Sequence, residues 1–130
     1  MSGLTDKQRA LFLGTNYATV STIARDGSPR STTIWCHIGD DDVIELNSRQ
    51  GRGWPANLER DPRVALSVFD CADPLNQVNV VGHVIEMTTD GAQAHVDMLA
   101  RKYDGEDFGE RVGEVRVRIR IAVDSADSWG

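Results

Sequence analysis

Sulfur, aromatic rings and positive charge are all scarce in this chain of 130 residues. Cys36 and Cys71 are its two cysteines, too far apart for a CxxC pair, and His37, His83 and His95 give no recognisable zinc spacing. Both thiols therefore read as reduced and buried, and no metal site is expected. Apolar runs end after a few residues, far short of the roughly 18 to 20 needed for a membrane helix, and the start MSGLTDKQRA has no signal-peptide character. A cytoplasmic location with no membrane partner is the expectation. Lys and Arg number 14 against 20 Asp and Glu, a formal charge of -6, which argues against a nucleic-acid partner because counterion release needs a basic face. No GxSxG elbow and no HExxH pair is present, so any chemistry is expected to reside in a bound cofactor.

No repeat or Pro/Gly-rich linker divides the sequence, and residues 1–130 read as a single domain able to bury roughly two-thirds of its unfolded surface. Most of it alternates with the period of a strand. Thr5 and Gln8 form a capping box for a short helix that ends at Gly14. Strands are expected over 17–23, 30–38 and 43–47, joined by the turns Arg25-Asp26-Gly27-Ser28 and Gly39-Asp40-Asp41-Asp42. Two more follow over 64–69 and 77–87, with Gly82 marking a bulge or a close backbone approach. Ala92, Val96, Leu99 and Tyr103 fall at helical spacing, and a last strand carries Val117, Ile119 and Ile121 on one face and Arg116, Arg118 and Arg120 on the other. That arginine ladder reads as a solvated face, a charged sheet edge, or a contribution to an anion or subunit contact. Six antiparallel strands with helical plugs make a mainly β fold, a small closed or nearly closed barrel.

The strongest local anomaly runs from Ser48 to Arg63, where Arg49, Arg52, Arg60 and Arg63 outnumber Glu59 and Asp61 in an otherwise acidic protein. Ser48 supplies a hydroxyl, Gly51 and Gly53 admit close backbone approach, and the helix starting near Pro55 offers unpaired amides. The pattern fits a phosphate site, or a basic loop with ordinary helix-start chemistry. Beside it, Ser31, Thr33 and Trp35 share a strand face suited to a flat heteroaromatic ring or to a subunit interface. Trp54 reads as a core or interface residue or as a stacking one.

Thr22-Ile23-Ala24-Arg25-Asp26-Gly27-Ser28-Pro29-Arg30, then Trp35, then Asn57-Leu58-Glu59-Arg60-Asp61-Pro62-Arg63-Val64, resembles the pyridoxamine 5'-phosphate oxidase-like split β-barrels. Within them the chain is most similar to the actinobacterial flavin/deazaflavin oxidoreductases of the B type. The resemblance implies a six-stranded antiparallel split β-barrel that pairs as a homodimer, with the cofactor in a groove at the interface. It places Arg30, Ser31, Thr32, Thr33, Ile34 and Trp35 along the cofactor ring. Asn47, Ser48, Arg49 and Arg52 would stand around the phosphate, Trp54 beside them, with Asn57 bracing the loop and Gln77 contacting the cofactor. Trp129 is a further candidate wall. One departure is plain, since members commonly carry a lysine where this chain has Trp54. The reading implied is an oxidoreductase that passes hydride between coenzyme F420 and a conjugated small-molecule substrate. An FMN-dependent oxidase or reductase is the alternative, and a cofactor-binding or interaction module without turnover is a third.

Overall fold

Alternation of β-branched with polar residues lays down most of the chain as strands. The computed structural model describes residues 3–129. In order these form α1 (Asp6–Leu13), β1 (Ala18–Ile23), β2 (Pro29–Ile34), β3 (His37–Ile38), β4 (Ile44–Arg49), α2 (Gly53–Arg60), β5 (Arg63–Asp70), β6 (Asp73–Thr88), α3 (Ala92–Asp104) and β7 (Arg116–Asp127). All strand pairs are antiparallel in one sheet of order β2-β1-β5-β6-β7-β4-β3. Its edge strands β2 and β3 are consecutive and joined only by Trp35 and Cys36. So short a link forces the sheet to curl until its edges lie side by side, which makes a split barrel.

Seven strands therefore stand where six were expected. The extra one arises because the segment 30–38 breaks at Trp35–Cys36, where α3 captures both residues. The Trp35 ring stacks on Tyr103 at 5.3 Å and 7°. Lys102 Nζ donates to the Cys36 carbonyl at 2.8 Å, and the Cys36 amide donates to the Tyr103 hydroxyl at 3.2 Å. The backbone groups that a continuous ladder would have paired thus find side-chain partners.

Alternate residues of β1, β5 and β7 point inward and β4 is buried along most of its length, so that Val20, Ile44, Leu46, Val68, Ile119 and Ile121 are fully buried. α1 lays Leu11 and Phe12 against them, and its capping box is formed in both directions, Gln8 N to Thr5 Oγ1 and Thr5 N to Gln8 Oε1, each 3.0 Å. Cys36 is buried but Cys71 is exposed in the β5–β6 turn, contrary to expectation. The turn must project to reverse the chain, so it leaves Cys71 outside. β7 lies between β6 and β4, so the arginine ladder is neither an edge nor a freely solvated face. Among the described residues no helix is long and apolar enough to cross a membrane.

Gly82 sits at a register shift between β6 and β7, and a Cβ built there would lie 2.3 Å from the Ala122 carbonyl oxygen. The obstacle is backbone, which cannot swing aside as a side chain can. Gly82→Ala is expected to lower stability by about 1–3 kcal/mol, read as a lower urea midpoint at unchanged slope. An unchanged midpoint would show that the two strands are not in close contact.

Candidate functional site

The split between β2 and β3 leaves a cleft of about 310 Å³ whose walls come from β2, β4, α2, α3 and the loop before β7. Thr33, Ile34 and Trp35 form one side, Asn47, Ser48, Arg52 and Trp54 the next, and Val96 and Leu99 the floor. Seven of the residues singled out in the sequence are therefore brought together. The topology explains why: β2 and β4 flank the opening, and the Gly51-Arg52-Gly53 turn brings α2 over its end.

A second cleft of about 390 Å³ adjoins it, lined by Arg30, Ser31, Thr32 and Asn57, with Trp54 common to both. The Asn57 side chain ties α2 to β1 and to its own last turn and, among the described residues, makes no bond to the loop it was expected to brace: its Nδ2 donates to Thr22 Oγ1 at 3.0 Å, and its Oδ1 accepts from Arg60. Arg49 is exposed and lines neither cleft. Gln77 lies elsewhere in the chain, lining a smaller recess with Gln8 and Trp129, whose ring is exposed.

Several cleft residues were not foreseen. Tyr17 and Phe108 extend the aromatic wall, with Tyr17 tilted against Tyr103 at 5.4 Å and Phe108 edge-on to Trp35 at 6.5 Å. Two guanidinium groups lie over Phe108, Arg111 at 3.9 Å and Arg116 at 4.8 Å. Glu114, the only carboxylate among the described residues that line the main cleft, pairs with Arg116 at 3.1 Å. Arg116 belonged to the ladder seen in the sequence, whereas Phe108 and Arg111 sit in an irregular loop with no periodic signal.

Behind the cleft lies a buried polar layer. Asn47 Nδ2 donates to the Ala92 carbonyl at 2.9 Å and to His95 Nδ1 at 3.0 Å, while its Oδ1 accepts from Arg116 Nε at 2.9 Å. Asn47 thus positions Arg116 toward the cleft, and its own amide hydrogens are engaged inside the protein. His95 must present Nδ1 as an acceptor to receive the Asn47 amide, which calls for the neutral tautomer protonated at Nε2. Burial pushes the His95 pKa down to about 4, helped by the positive charges of Arg118 and His37 and opposed by Glu45. Glu45, itself buried, is ion-paired with Arg118 and lies 3.7 Å from Arg120 Nε. Arg120 continues to Asp41 at 2.5 Å, so that turn carboxylate is a partner of the ladder and not merely solvated.

The chain can do two things with this arrangement: seat a flat ring between the β2 edge and the aromatic wall, and hold an anion beside Ser48 and Arg52. Ser48 is buried, and Arg52 enters no ion pair among the described residues.

Comparison with known proteins agrees with the fold. The profile of a family described as pyridoxamine 5'-phosphate oxidase matches residues 4–130. A solved structure named F420 reductase is 24% identical, with a TM-score of 0.85 over 96% of this chain and 99% of its own. A conserved hypothetical protein from Mycobacterium tuberculosis is 23% identical, with a TM-score of 0.73 over 91% of this chain and 79% of its own. HupZ of Group A Streptococcus is 21% identical, with a TM-score of 0.71 over 95% of this chain and 91% of its own. Comparison with curated proteins gives no match.

A depressed histidine pKa sets the sign of a pH effect. Between the ordinary value of 6.5 and about 4 the unfolded chain binds the His95 proton and the folded chain does not, so stability is retained above 6.5 and lost as pH falls through that window. Between pH 7 and pH 5 the loss is on the order of 2 kcal/mol. Urea midpoints of the native chain and of His95→Gln, compared between pH 7 and 5, should show a shallower fall in the variant. Parallel curves would mean that His95 does not titrate abnormally.

Proposed function

The chain belongs to the pyridoxamine 5'-phosphate oxidase family, and on that premise we propose that it is an oxidoreductase whose main cleft holds a flavin-type cofactor, coenzyme F420 ahead of FMN. The observation that carries the reading is the convergence of a sheet edge, an aromatic wall and unpaired arginine on one cleft. Its volume, about 310 Å³, suits a small-molecule site. β2 has a ladder partner on one side only, so alternate amides and carbonyls along Thr32, Thr33 and Ile34 are free to meet the polar edge of a ring. Trp35, stacked on Tyr103, supplies a rigid aromatic surface, and Val96 and Leu99 exclude water from beneath. Ser48 and Arg52 would hold the phosphate.

When bound, such a cofactor supplies hydride transfer to or from a conjugated small molecule, and FMN also admits reaction with oxygen. The protein contributes orientation and dryness. Glu114 is committed to Arg116, and the proton that accompanies the hydride would come from solvent or from a nearby donor. Arg111 and Arg116 extend the positive lining beyond Arg52, which suits the longer anionic tail of F420 better than FMN, and the structural likeness to a protein named F420 reductase supports the same choice.

The dimer belongs to this reading. The outer face of the sheet is built of small residues in register, Thr33–Thr19–Ser67–Asn79 and Ser31–Ser21–Ala65–Val81, bordered by the exposed Phe69 and Tyr17. Such a face can be covered by its own copy, and since Gln77 does not reach the cleft within one chain, a cofactor contact from Gln77 would have to come from the partner subunit.

Calorimetric titration with F420 and with FMN tests the proposal. Micromolar or tighter binding with F420 preferred is expected, and Arg52→Ala should weaken it by roughly 1.5–3 kcal/mol. Preference for FMN would move the assignment to flavin chemistry, and a strictly monomeric chain in sedimentation at micromolar concentration would remove the interface site.

A further inference from the structure

Arg52, Arg111 and Arg116 line the main cleft and Arg30 lines the adjoining one, against the single carboxylate of Glu114 among the described lining residues. Burial lowers the Arg116 pKa, Glu114 opposes it, and the charges of Arg52 and Arg111 lower it further, so these guanidinium groups repel one another. Arg116 is held against that repulsion by Asn47 and Glu114. Arg111 has no such partner: it is exposed and enters no ion pair among the described residues. What it does have is a ring. Its guanidinium carbon stands 3.9 Å from the Phe108 centroid, and that of Arg116 stands 4.8 Å from the same ring. Phe108 is fixed in its loop from both sides. Arg101 pairs with Asp107 at 2.5 Å, and the Gly109 amide donates to Asp97 Oδ1 at 2.9 Å while its carbonyl accepts from Gln93 Nε2 at 3.1 Å. A leucine at this position would close the wall equally well, whereas a ring turns a negative face to both cations.

We propose that Phe108 is a positioning residue that keeps Arg111 beside Arg116 on the main cleft, and that this pair selects a ligand carrying an anionic group beyond the phosphate held at Ser48 and Arg52. The inference rests on the cofactor reading above and adds to it the residue that gives F420 its advantage over FMN. Without the ring, Arg111 would be repelled by its neighbours and spread over many rotamers in solvent, and a ligand would have to order it again on binding. With the ring in place the guanidinium already stands at the cleft when the ligand arrives. FMN ends at one phosphate, which Ser48 and Arg52 meet, so it draws less on Arg111 than the longer anionic tail of F420 does.

Titration of the native chain, Phe108→Leu and Phe108→Tyr with F420 and with FMN is the test. Phe108→Leu should weaken F420 binding about three- to tenfold and FMN binding less than about twofold, while Phe108→Tyr, which keeps the ring face, should restore the native F420 affinity. The salt dependence of F420 binding should be shallower in Phe108→Leu than in the other two chains, because one cation no longer meets the ligand. A packing defect alone would weaken both ligands alike and leave the salt dependence in place, and that result would overturn the inference. Equal or tighter F420 binding in Phe108→Leu, or no recovery in Phe108→Tyr, would overturn it as well while leaving the cofactor reading intact. Failure of the native chain to bind either ligand would overturn the cofactor reading and this inference together. If Phe108→Leu does not fold, nuclear magnetic resonance of the native chain decides, with the Arg111 Nε–H signal identified by its loss in Arg111→Lys. That signal should move on addition of F420 and stay in place with FMN; no movement with F420, or equal movement with both, would overturn the selective role of the pair.

Discussion

Everything that opens a site in this protein depends on how Trp35 and Cys36 are held. They are the whole connection between the two edge strands, and without a restraint the segment would run on as one strand, as its alternation invites. Tyr103 and Lys102 at the end of α3 supply the restraint. Lys102 Nζ reaches the carbonyls of both Phe12 and Cys36 at 2.8 Å and His37 Nδ1 at 3.3 Å. One ammonium thereby ties α3 to the end of α1 and to the start of β3. Burial pushes the Lys102 pKa down and the Tyr103 pKa up, yet each is compensated by the backbone groups it satisfies. The same pair of residues turns Trp35 onto a fixed aromatic partner, so the restraint that splits the barrel also builds the wall of the cleft.

Much of this was legible in the sequence, and the reason differs from element to element. The strands over Ala18–Ile23 and Arg116–Asp127 announce themselves because one face is core and the other is polar, which is a period-two signal. α3 is equally plain from Ala92, Val96 and Leu99, all buried. The break at Trp35–Cys36 is invisible locally, since both residues obey the alternation and only distant residues of α3 end the ladder. The arginine ladder misled for a similar reason. Seen alone it is a charged face, and its carboxylate partners, Glu45 on β4 and Asp41 in the β3–β4 turn, become neighbours only through the order of strands.

The candidate site was legible where its chemistry is compositional and not where it is purely spatial. Ser48, Arg52 and Trp54 stand out because a basic, glycine-flanked stretch is unusual in a chain of charge -6. Thr33 and Trp35 follow from the strand alternation and Ile34 from the resemblance, and all three meet them at one cleft. Phe108 and Arg111 carry no signal of their own, because an irregular loop has no period. Gln77 illustrates the limit of one chain: strand β6 places it opposite Phe69 on the outer face, away from the cleft, whatever its neighbours in sequence.

The polar layer behind the cleft has a cost that hydrophobic residues would avoid, because charges such as Glu45 and Arg118 are partly removed from water. What it provides is orientation. The Asn47 amide has one arrangement that satisfies His95, Ala92 and Arg116 together, and that arrangement requires Nδ1 of His95 to be free of a proton. Protonation would set two donors against each other and release the amide, and with it the hold on Arg116. The guanidinium that lies over Phe108 in the cleft therefore owes its position to the charge state of a histidine that does not itself line the cleft. Acidification through the His95 transition would therefore loosen the positive wall of the cleft by way of this relay.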